Sequence, residues 1–214
     1  MYYKNELKIY IFFIIIDIMN NQTWWNNNAK KNYTKFKDWV GDATSESKIY
    51  MATYLKNKNM ITIADLGCGD ATFNTTLKQN DINIRYVGVD SCAFFIKMNV
   101  LKGIPMINSD IRNIKDLSDS SIDIVFSRHT LEHQNNFRDE LTEMIRIAKY
   151  EACHIFFIKP QEKETISYTI DDNLFHNIYS QTDIDTFLKN NPKVLEWKWV
   201  DINDKENALH IYVK

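Results

Sequence analysis

Short apolar runs alternate with segments of helical periodicity from residue 61 onward, and this alternation limits the choice of fold more than any other feature. Five of the runs are predicted strands: Ile61–Leu66, Arg85–Val89, Pro105–Asn108, Ile122–Ser127 and Cys153–Ile158. Segments between them are predicted helices: Ala71–Gln79, Cys92–Leu101 and Asn136–Lys149. Such alternation is typical of a parallel, doubly wound sheet with helices on both faces.

The C-terminal part adds two predicted strands, Val194–Ile202 and Ala208–Val213, joined by the turn residues Asn203–Asn207. A helical crossover does not fit in so short a connection, so these strands should form an antiparallel hairpin. Helices are predicted over Ser45–Asn57, before the first strand, and over Ser180–Asn190, before this hairpin. The predicted fold class is therefore α/β, a doubly wound, mostly parallel seven-stranded sheet with a C-terminal antiparallel hairpin.

Length, charge and cysteine content narrow the class of protein. The chain has 214 residues, which suits one domain with a sizeable core, and a formal net charge of -2. Without a global basic field, nucleic acid is a disfavoured partner, although a local basic patch would still allow it. The spacing of Cys68, Cys92 and Cys153 fits no zinc motif, and an odd cysteine count makes a poor disulfide framework. A reducing, cytoplasmic location is the simplest expectation.

The N-terminus carries an apolar run, Ile9–Ile16, that is too short to span a bilayer as a helix and ends at Asp17. The following residues offer no small-residue cleavage site of the kind that a signal peptide needs. We interpret the run as an extra strand or helix, or as an extension upstream of a start at Met19, with a membrane anchor as a minor alternative. No membrane span is expected elsewhere.

Glycines and carboxylates gather where the first three predicted strands end. Gly67 and Gly69 follow the first strand, where they permit a tight turn and a close approach of the backbone to a ligand. Asp90 follows the second strand about twenty residues later, a position from which an acidic residue accepts hydrogen bonds from ribose hydroxyls. Asp110 follows the third strand. With Asp65, these carboxylates should lie along one edge of the sheet, where open α/β sheets bind ligands.

The segment Asp65-Leu66-Gly67-Cys68-Gly69 resembles motif I of the class I S-adenosylmethionine-dependent methyltransferases, and the similarity extends from about Ser45 to Lys159. The resemblance implies a Rossmann-like fold and S-adenosyl-L-methionine as the cofactor. It implies that Gly67 and Gly69 contact the methionine portion and that Asp90 holds the ribose hydroxyls. The full set of cofactor-binding residues that it implies is Asp65, Gly67, Cys68, Gly69, Asp90, Ser91, Asp110, Ile111, Ser127 and Arg128.

Further roles follow from the same resemblance. Asp110 and the backbone of Ile111 would address the adenine. The stretch Asp123–His133 resembles motif IV of the small-molecule branch, which would place Ser127, Arg128 and His129 beside the methionine moiety and the transferred methyl. It also divides the chain into an N-terminal extension, residues 1–44, and a methyltransferase domain, residues 45–214. Three tryptophans of the extension fit a lid over the site or a place in the core equally well: Trp24, Trp25 and Trp39.

One departure from the usual pattern separates two enzyme classes. The third glycine is Ala71 here, a small residue that methyltransferases tolerate. A nicotinamide enzyme would need glycine at Thr72, where a β-branched residue is a poor substitute. Together with the terminal hairpin, this favours a methyltransferase over an oxidoreductase.

Histidines supply the candidate catalytic groups. His129 is the leading candidate for a general base, because a histidine titrates near neutral pH, although a role that only shapes the cofactor pocket is somewhat favoured. Glu132 and His133 are expected to open the next helix, and a strand-to-helix turn breaks the metal-binding geometry of His129 and His133, so no metal is predicted. His176 lies in the long segment Pro160–Tyr179, where it could meet the substrate, but an exposed surface position is the favoured expectation.

Motif IV also bears on the acceptor. The residues Ser127-Arg128-His129-Thr130 lack the Pro-Pro of enzymes that methylate base amino groups, the cysteine of pyrimidine C5 chemistry and the aspartate of ribose 2′-O-methylation. These absences favour a small-molecule or glycan-type acceptor, methylated on oxygen or nitrogen. An RNA or protein methyltransferase is the alternative, which a basic groove would support at Lys30, Lys31, Lys35 and Lys37. A non-catalytic cofactor-binding protein is a third reading, and the oligomeric state is left open.

Overall fold

The computed structural model describes residues 23–31, 33–34, 37, 41–162, 165–170 and 174–214. The predictions that concern residues 1–18, Lys35 and Trp39 lie outside these residues. Residues 23–28 form a short N-terminal helix that lies ahead of the main domain. None of the helices in the described part is long and apolar enough to cross a membrane.

Five longer helices and nine strands follow the N-terminal helix in the described part of the chain. The helices are α1 (Glu46–Lys56), α2 (Thr72–Gln79), α3 (Ala93–Leu101), α4 (Arg138–Ile147) and α5 (Gln181–Lys189). The strands are β1 (Thr62–Leu66), β2 (Arg85–Asp90), β3 (Met106–Asn108), β4 (Ile122–Arg128), β5 (Ala148–Phe156), β6 (Ile166–Ile170), β7 (Leu174–Ile178), β8 (Val194–Asp201) and β9 (Asn207–Val213). A 3₁₀ turn, Leu131–His133, separates β4 from α4.

The main sheet has seven strands in the order β3-β2-β1-β4-β5-β9-β8. Strands β1 to β5 pair in parallel, whereas β9 runs antiparallel to both β5 and β8. The predicted fold class, including the C-terminal hairpin, is confirmed. The strand order reverses between β1 and β4, and the carboxyl ends of these strands therefore border the crevice in which such sheets bind ligands.

Alternation along β1 explains why both faces of the sheet are covered. Ile63 packs in one buried cluster with α1 and α2, whereas Ala64 and Leu66 pack in another with α4. Successive strand side chains point to opposite faces, so an apolar run of this kind needs a covering layer on each side. The ends of β1 and β4 are consequently fixed by packing on both faces.

Two neighbouring elements differ from their predicted bounds by more than one residue. The helix predicted over Asn136–Lys149 covers only Arg138–Ile147, because Ala148 already pairs with Ile122 as the first residue of β5. The strand predicted over Cys153–Ile158 correspondingly begins at Ala148 and ends at Phe156. Apolar residues continue through this junction without a helix stop signal, so periodicity alone could not place it.

The segment Pro160–Tyr179, predicted as a loop, contains a second sheet of β6 and β7 in its described residues. Side-chain bonds attach this hairpin to the turn after β4. The Tyr179 hydroxyl donates to the Leu131 carbonyl at 2.8 Å, and the Asn177 amide donates to the Gln134 carbonyl. Contacts across more than forty residues of sequence thus hold the hairpin over the strand ends.

A buried polar network fastens α1 to the far half of the sheet. Glu151, 1% exposed, contacts His210 Nδ1 at 2.5 Å and accepts a 2.7 Å hydrogen bond from the Tyr54 hydroxyl. The Tyr50 hydroxyl lies 2.7 Å from the other ring nitrogen of His210. Because each buried polar group is partnered, the network joins α1, β5 and β9 without an unsatisfied charge.

Replacing Glu151 with alanine should therefore destabilise the fold by about 3–5 kcal/mol, since His210 and Tyr54 would lose their buried partner. Denaturant unfolding followed by circular dichroism measures the change. The matched control is Glu196→Ala, at an exposed residue that lies 3.9 Å from Lys198, which should shift stability by no more than about 0.5 kcal/mol. Equal effects of the two substitutions would show that the network does not anchor α1.

Candidate active site

The bend after β1 is held by the end of β2. The amides of Gly67 and Cys68 donate to the Val89 carbonyl at 2.8 and 3.2 Å, and the Gly69 amide donates to Asp90 Oδ2 at 2.9 Å. The Asn99 side chain of α3 donates to the Gly69 carbonyl at 2.8 Å. These bonds fix the backbone of the bend before any ligand arrives.

Glycine is required at this bend for two reasons. Gly67 has φ +67°, in the left-handed region, and a Cβ there would collide with the Thr130 methyl group.

Ala71, at the position of the usual third glycine, also lies in the left-handed region with φ 56°. Such a conformation costs a non-glycine residue roughly 1–2 kcal/mol, which the surrounding packing offsets.

A cavity of about 520 Å³ opens beside the bend. Ten of the eleven predicted site residues line it: Asp65, Gly67, Cys68, Gly69, Asp90, Ser91, Asp110, Ile111, Arg128 and His129. Ser127 is the exception. Its side chain is fully buried and donates to Glu140 at 2.7 Å, so we correct its predicted cofactor contact to a packing role beneath the cavity.

Asp65 is a buried carboxylate at the inner wall of the cavity. It is 4% exposed and accepts a 2.7 Å hydrogen bond from the Tyr86 hydroxyl. Burial raises its pKa to about 7, against the opposing effects of Tyr86 and of the Lys48 and Arg128 charges. Ionised Asp65 is therefore costly in the ligand-free fold, and a cationic group in the cavity would relieve that cost.

Asp90 and Asp110 occupy different environments. Asp90 Oδ1 accepts from the Cys92 amide at 2.8 Å, and burial raises the pKa of this carboxyl. Asp110 binds Arg112 through both carboxylate oxygens, at 3.0 and 2.8 Å. Burial alone would raise the pKa of Asp110, but the hydrogen bonds and charge of Arg112 outweigh it and lower the pKa. Asp110 and Arg112 therefore face the cavity as a pair.

His129 and Glu206 form a hydrogen-bonded pair at the other end of the cavity. His129 Nε2 lies 2.7 Å from Glu206 Oε1, and burial lowers the His129 pKa to about 4. Burial would raise the Glu206 pKa, but hydrogen bonds from His129, Ser47 and Asn203 hold it at about 2. His129 has φ 58°, and a strained backbone of this kind often marks a functional position.

Sequence reasoning missed Glu206. It lies in the turn between β8 and β9, and 77 residues separate it from His129. No local pattern marks that turn as part of a site, because the sheet order alone brings the β8–β9 turn beside the end of β4. Only a prediction that β9 pairs with β5 could have placed Glu206 near His129.

Aromatic and imidazole rings surround the same end of the cavity, which we call the aromatic end: Trp25, His129, His133, Phe157 and His176. Phe157 lies at the centre, with ring centroids 4.8 Å from His176, 5.2 Å from His129 and 5.4 Å from His133. The expected surface position of His176 is wrong, because the β6–β7 hairpin brings it to the cavity. His133 likewise belongs to the 3₁₀ turn and not to α4.

The two described tryptophans of residues 1–44 lie in different surroundings. Trp25 lines the cavity, whereas Trp24 is buried with 8% exposure. Asn26 anchors this segment, because its side-chain oxygen accepts a 3.0 Å hydrogen bond from the Ala93 amide at the start of α3.

A layer of buried acidic groups supports the aromatic end from below. Glu132 is fully buried, and its Oε1 accepts a 2.6 Å hydrogen bond from the Phe157 amide. Its other oxygen lies 3.4 Å from His154 Nε2. The expected helix-opening role of Glu132 is therefore replaced by one that positions Phe157. Among the described residues, no three His, Cys, Asp or Glu side chains are grouped as a metal site would require.

The residues present fit an adenosyl-methionine ligand. A carboxylate with a raised pKa suits an ammonium group, and a second carboxylate lies at the end of β2. Gly67 and Gly69 bring backbone without a side chain to the cavity wall. The cavity volume falls within the usual range of roughly 300–1,000 Å³ for small-molecule and cofactor sites.

Comparisons with known proteins agree with this geometry. Residues 64–156 match a family model described as "Methyltransferase domain". A tRNA (guanine-N(7)-)-methyltransferase of Mycoplasma mycoides subsp. mycoides SC is 24% identical over 136 residues, which are 59% of this chain and 55% of that protein. The chain thus spans little more than half the length of this curated relative.

Solved structures share the fold at low identity. The 1,6-didemethyltoxoflavin-N1-methyltransferase of Burkholderia thailandensis, with S-adenosylhomocysteine bound, has a TM-score of 0.64 at 9% identity, over 88% of this chain and 87% of that one. The magnesium protoporphyrin IX methyltransferase of Synechocystis PCC 6803 has a TM-score of 0.65 at 12% identity, over 91% and 100%. The Rossmann-like fold that motif I predicts is confirmed. Residues 64–156 match a methyltransferase-domain family model, and the chain shares its fold with methyltransferases that bind S-adenosylhomocysteine.

Proposed function

We propose that the protein transfers the methyl group of S-adenosylmethionine to an oxygen or nitrogen of a small-molecule or glycan-type acceptor. One observation carries this proposal: a single cavity joins the glycine bend and the carboxylates of the strand ends to the neighbourhood of His129. The cavity continues past the predicted cofactor contacts to Trp25, Phe157 and His176, which favours an enzyme over a protein that only binds the cofactor. When bound, S-adenosylmethionine supplies an electrophilic methyl group on a good leaving group.

The cofactor-binding roles follow from the charges along the cavity. Asp65 would accept the methionine ammonium, because a cation beside it compensates its burial. Asp90 would accept the ribose hydroxyls, and the backbone of Gly67 and Gly69 would lie along the methionine portion. At the far side, Ile111 and the Asp110–Arg112 pair would border the adenine.

His129 would accept the proton that the acceptor releases. Glu206, whose pKa is held at about 2, is an ionised acceptor and keeps the proton of a neutral imidazole on Nε2. The lone pair is then on Nδ1, and Glu206 would stabilise the imidazolium that forms when Nδ1 takes a proton. Positioning the acceptor in line with the methyl group and excluding water would supply the rest of the catalysis.

The division of the chain into two parts also enters this proposal. Residues 45–214 would form the methyltransferase domain, and residues 1–44 an extension that contributes Trp25 to the cavity as part of a lid. The anchoring of Asn26 on the Ala93 amide supports such a placement.

RNA is the second candidate acceptor, favoured by the likeness to a tRNA methyltransferase. Lys30, Lys31 and Lys37 are exposed, as a basic rim would require, but none of the three lines the cavity. Incubation with methyl-labelled S-adenosylmethionine and either bulk tRNA or a small-molecule panel separates the two candidates. Label in tRNA and not in the panel would overturn the small-molecule proposal.

Replacing Asp90 with alanine should weaken cofactor binding by roughly ten- to a hundredfold, since a charged hydrogen bond is worth about 1.5–3 kcal/mol. Loss of its bond to the Gly69 amide adds to the effect. Calorimetric titration with S-adenosylhomocysteine measures the affinity, with Asp116→Ala at an exposed aspartate as the control. Unchanged affinity in a folded Asp90→Ala protein would show that the ribose contact is misassigned.

Cofactor affinity should fall by about tenfold for each pH unit below roughly 7, because Asp65 then carries a proton in the free protein that it must release on binding an ammonium group. The raised pKa sets the direction: ionised Asp65 predominates only above about 7. Asp65→Asn should lower the affinity and remove this slope. An unaltered pH profile in the Asn variant would exclude Asp65 as the titrating group.

His129→Asn should reduce turnover by roughly 10²–10⁴-fold while leaving S-adenosylhomocysteine affinity within about twofold, because a general base acts on the acceptor. Glu206→Gln should produce a smaller loss of turnover and a shifted pH profile. Single-turnover assays with an acceptor found in the panel measure both. Full activity of His129→Asn would reduce His129 to a residue that shapes the pocket.

A further inference from the structure

The two ends of the cavity differ in charge. The cofactor end carries Asp65, Asp90 and the Asp110–Arg112 pair. At the aromatic end the titratable rings are imidazoles, and burial lowers the pKa of each: His129, His133 and His176. The charged groups beside this end already have partners within the protein: Arg128 lies 3.4 Å from Glu206 Oε1, and Glu132 lies 3.4 Å from His154 Nε2. An acceptor with a net charge would therefore lose water at this end without gaining an unpaired counter-charge.

Hydrogen-bond partners fix the tautomers of two of these imidazole rings. His133 Nδ1 lies 2.7 Å from the Phe175 carbonyl, an obligatory acceptor, so the proton of the neutral ring is on Nδ1 and the lone pair is on Nε2. His129 has the opposite arrangement, with its proton on Nε2 toward Glu206 and its lone pair on Nδ1. His129, which lines the cavity, thus offers it a hydrogen-bond acceptor at Nδ1, which suits an O–H or N–H group.

Ring geometry favours a flat occupant. The His176 ring stands nearly perpendicular to those of Phe157 and His133, at 85° in each case, and the Phe157 and His133 rings tilt by only 31°. Three rings thus line the cavity within 6 Å of one another, two of them near-parallel and the third across them. Planar rings gain specific stacking and edge contacts on such a surface beyond the area they bury.

From these observations we infer that the acceptor is an uncharged, planar aromatic or heteroaromatic small molecule that bears an O–H or N–H group, and that Phe157 is its principal platform. This inference rests on the proposed methyl transfer and narrows its acceptor class. Glu132 is the positioning residue beneath it, because it holds the Phe157 amide at 2.6 Å.

Four related probes test the inference by titration of the protein loaded with S-adenosylhomocysteine, near neutral pH. The planar, neutral donor 2-naphthol should bind about tenfold more tightly than each of three analogues, since each loses one recognised property. Decahydro-2-naphthol lacks planarity, 2-methoxynaphthalene lacks the donor, and 6-hydroxy-2-naphthoate carries a charge while it keeps the donor. Equal or tighter binding of any of the three would overturn the corresponding part of the inference.

The platform role is tested with Phe157→Leu, which should weaken 2-naphthol binding by about fivefold or more and leave S-adenosylhomocysteine affinity within about twofold. Phe187→Leu is the matched control, at a half-buried phenylalanine of α5 that packs on Phe137 away from the cavity. Unchanged 2-naphthol affinity in Phe157→Leu would overturn the platform assignment.

The two levels of the argument fail separately. Protein that does not bind S-adenosylhomocysteine contradicts the proposed function itself. Protein that binds it and discriminates poorly among the four probes contradicts only the acceptor class. Methyl label in bulk tRNA, with no preference among the probes, would show that the aromatic end receives an RNA base instead.

Discussion

The attachment of the β1 bend to the end of β2 is the constraint on which the rest of the site depends. Val89 accepts two amide hydrogens of the bend, and Asp90 accepts a third. Because these backbone groups are satisfied within the protein, the bend keeps its shape without a ligand, and little ordering is left for binding to accomplish. A change in the register between β1 and β2 would disperse the whole set of strand-end carboxylates.

Because the bend follows a packed strand, the carboxylate of Asp65 at the end of β1 is buried. Asp65 sits at the end of a fully packed strand, where its ionised form is disfavoured, and Lys48 and Arg128 compensate only in part. The fold thus tolerates an unfavourable group at the place where we propose that a cation binds. At the opposite end a carboxylate and a carbonyl fix the protons of two imidazoles. One half of the cavity is therefore lined by carboxylates and the other mainly by rings.

Residues close in sequence to a strong pattern were predictable. The strands β1 to β4, the bend at Gly67 and the carboxylates Asp65 and Asp90 could be placed because each follows an apolar run at the same edge of a parallel sheet. Parallel topology converts a sequence position, the end of a strand, into a position in space. The C-terminal hairpin was equally accessible, because a short connection permits no other pairing.

Residues that depend on long-range packing were not predictable. Glu206 reaches His129 only because β9 is inserted beside β5, and His176 reaches the cavity only because the β6–β7 hairpin is tied to the turn after β4. Ser127 shows the reverse error: it is adjacent to two cavity residues, yet the alternation of β4 turns its side chain toward Glu140. Adjacency along a strand does not imply a shared face.

A crystal structure of the protein with S-adenosylhomocysteine tests the central claim most directly. The account predicts the ribose hydroxyls within hydrogen-bonding distance of Asp90, the amino group beside Asp65 and the sulfur directed toward the aromatic end. Density for the ligand elsewhere on the molecule, or a ligand reversed so that its adenine occupies the aromatic end, would contradict it.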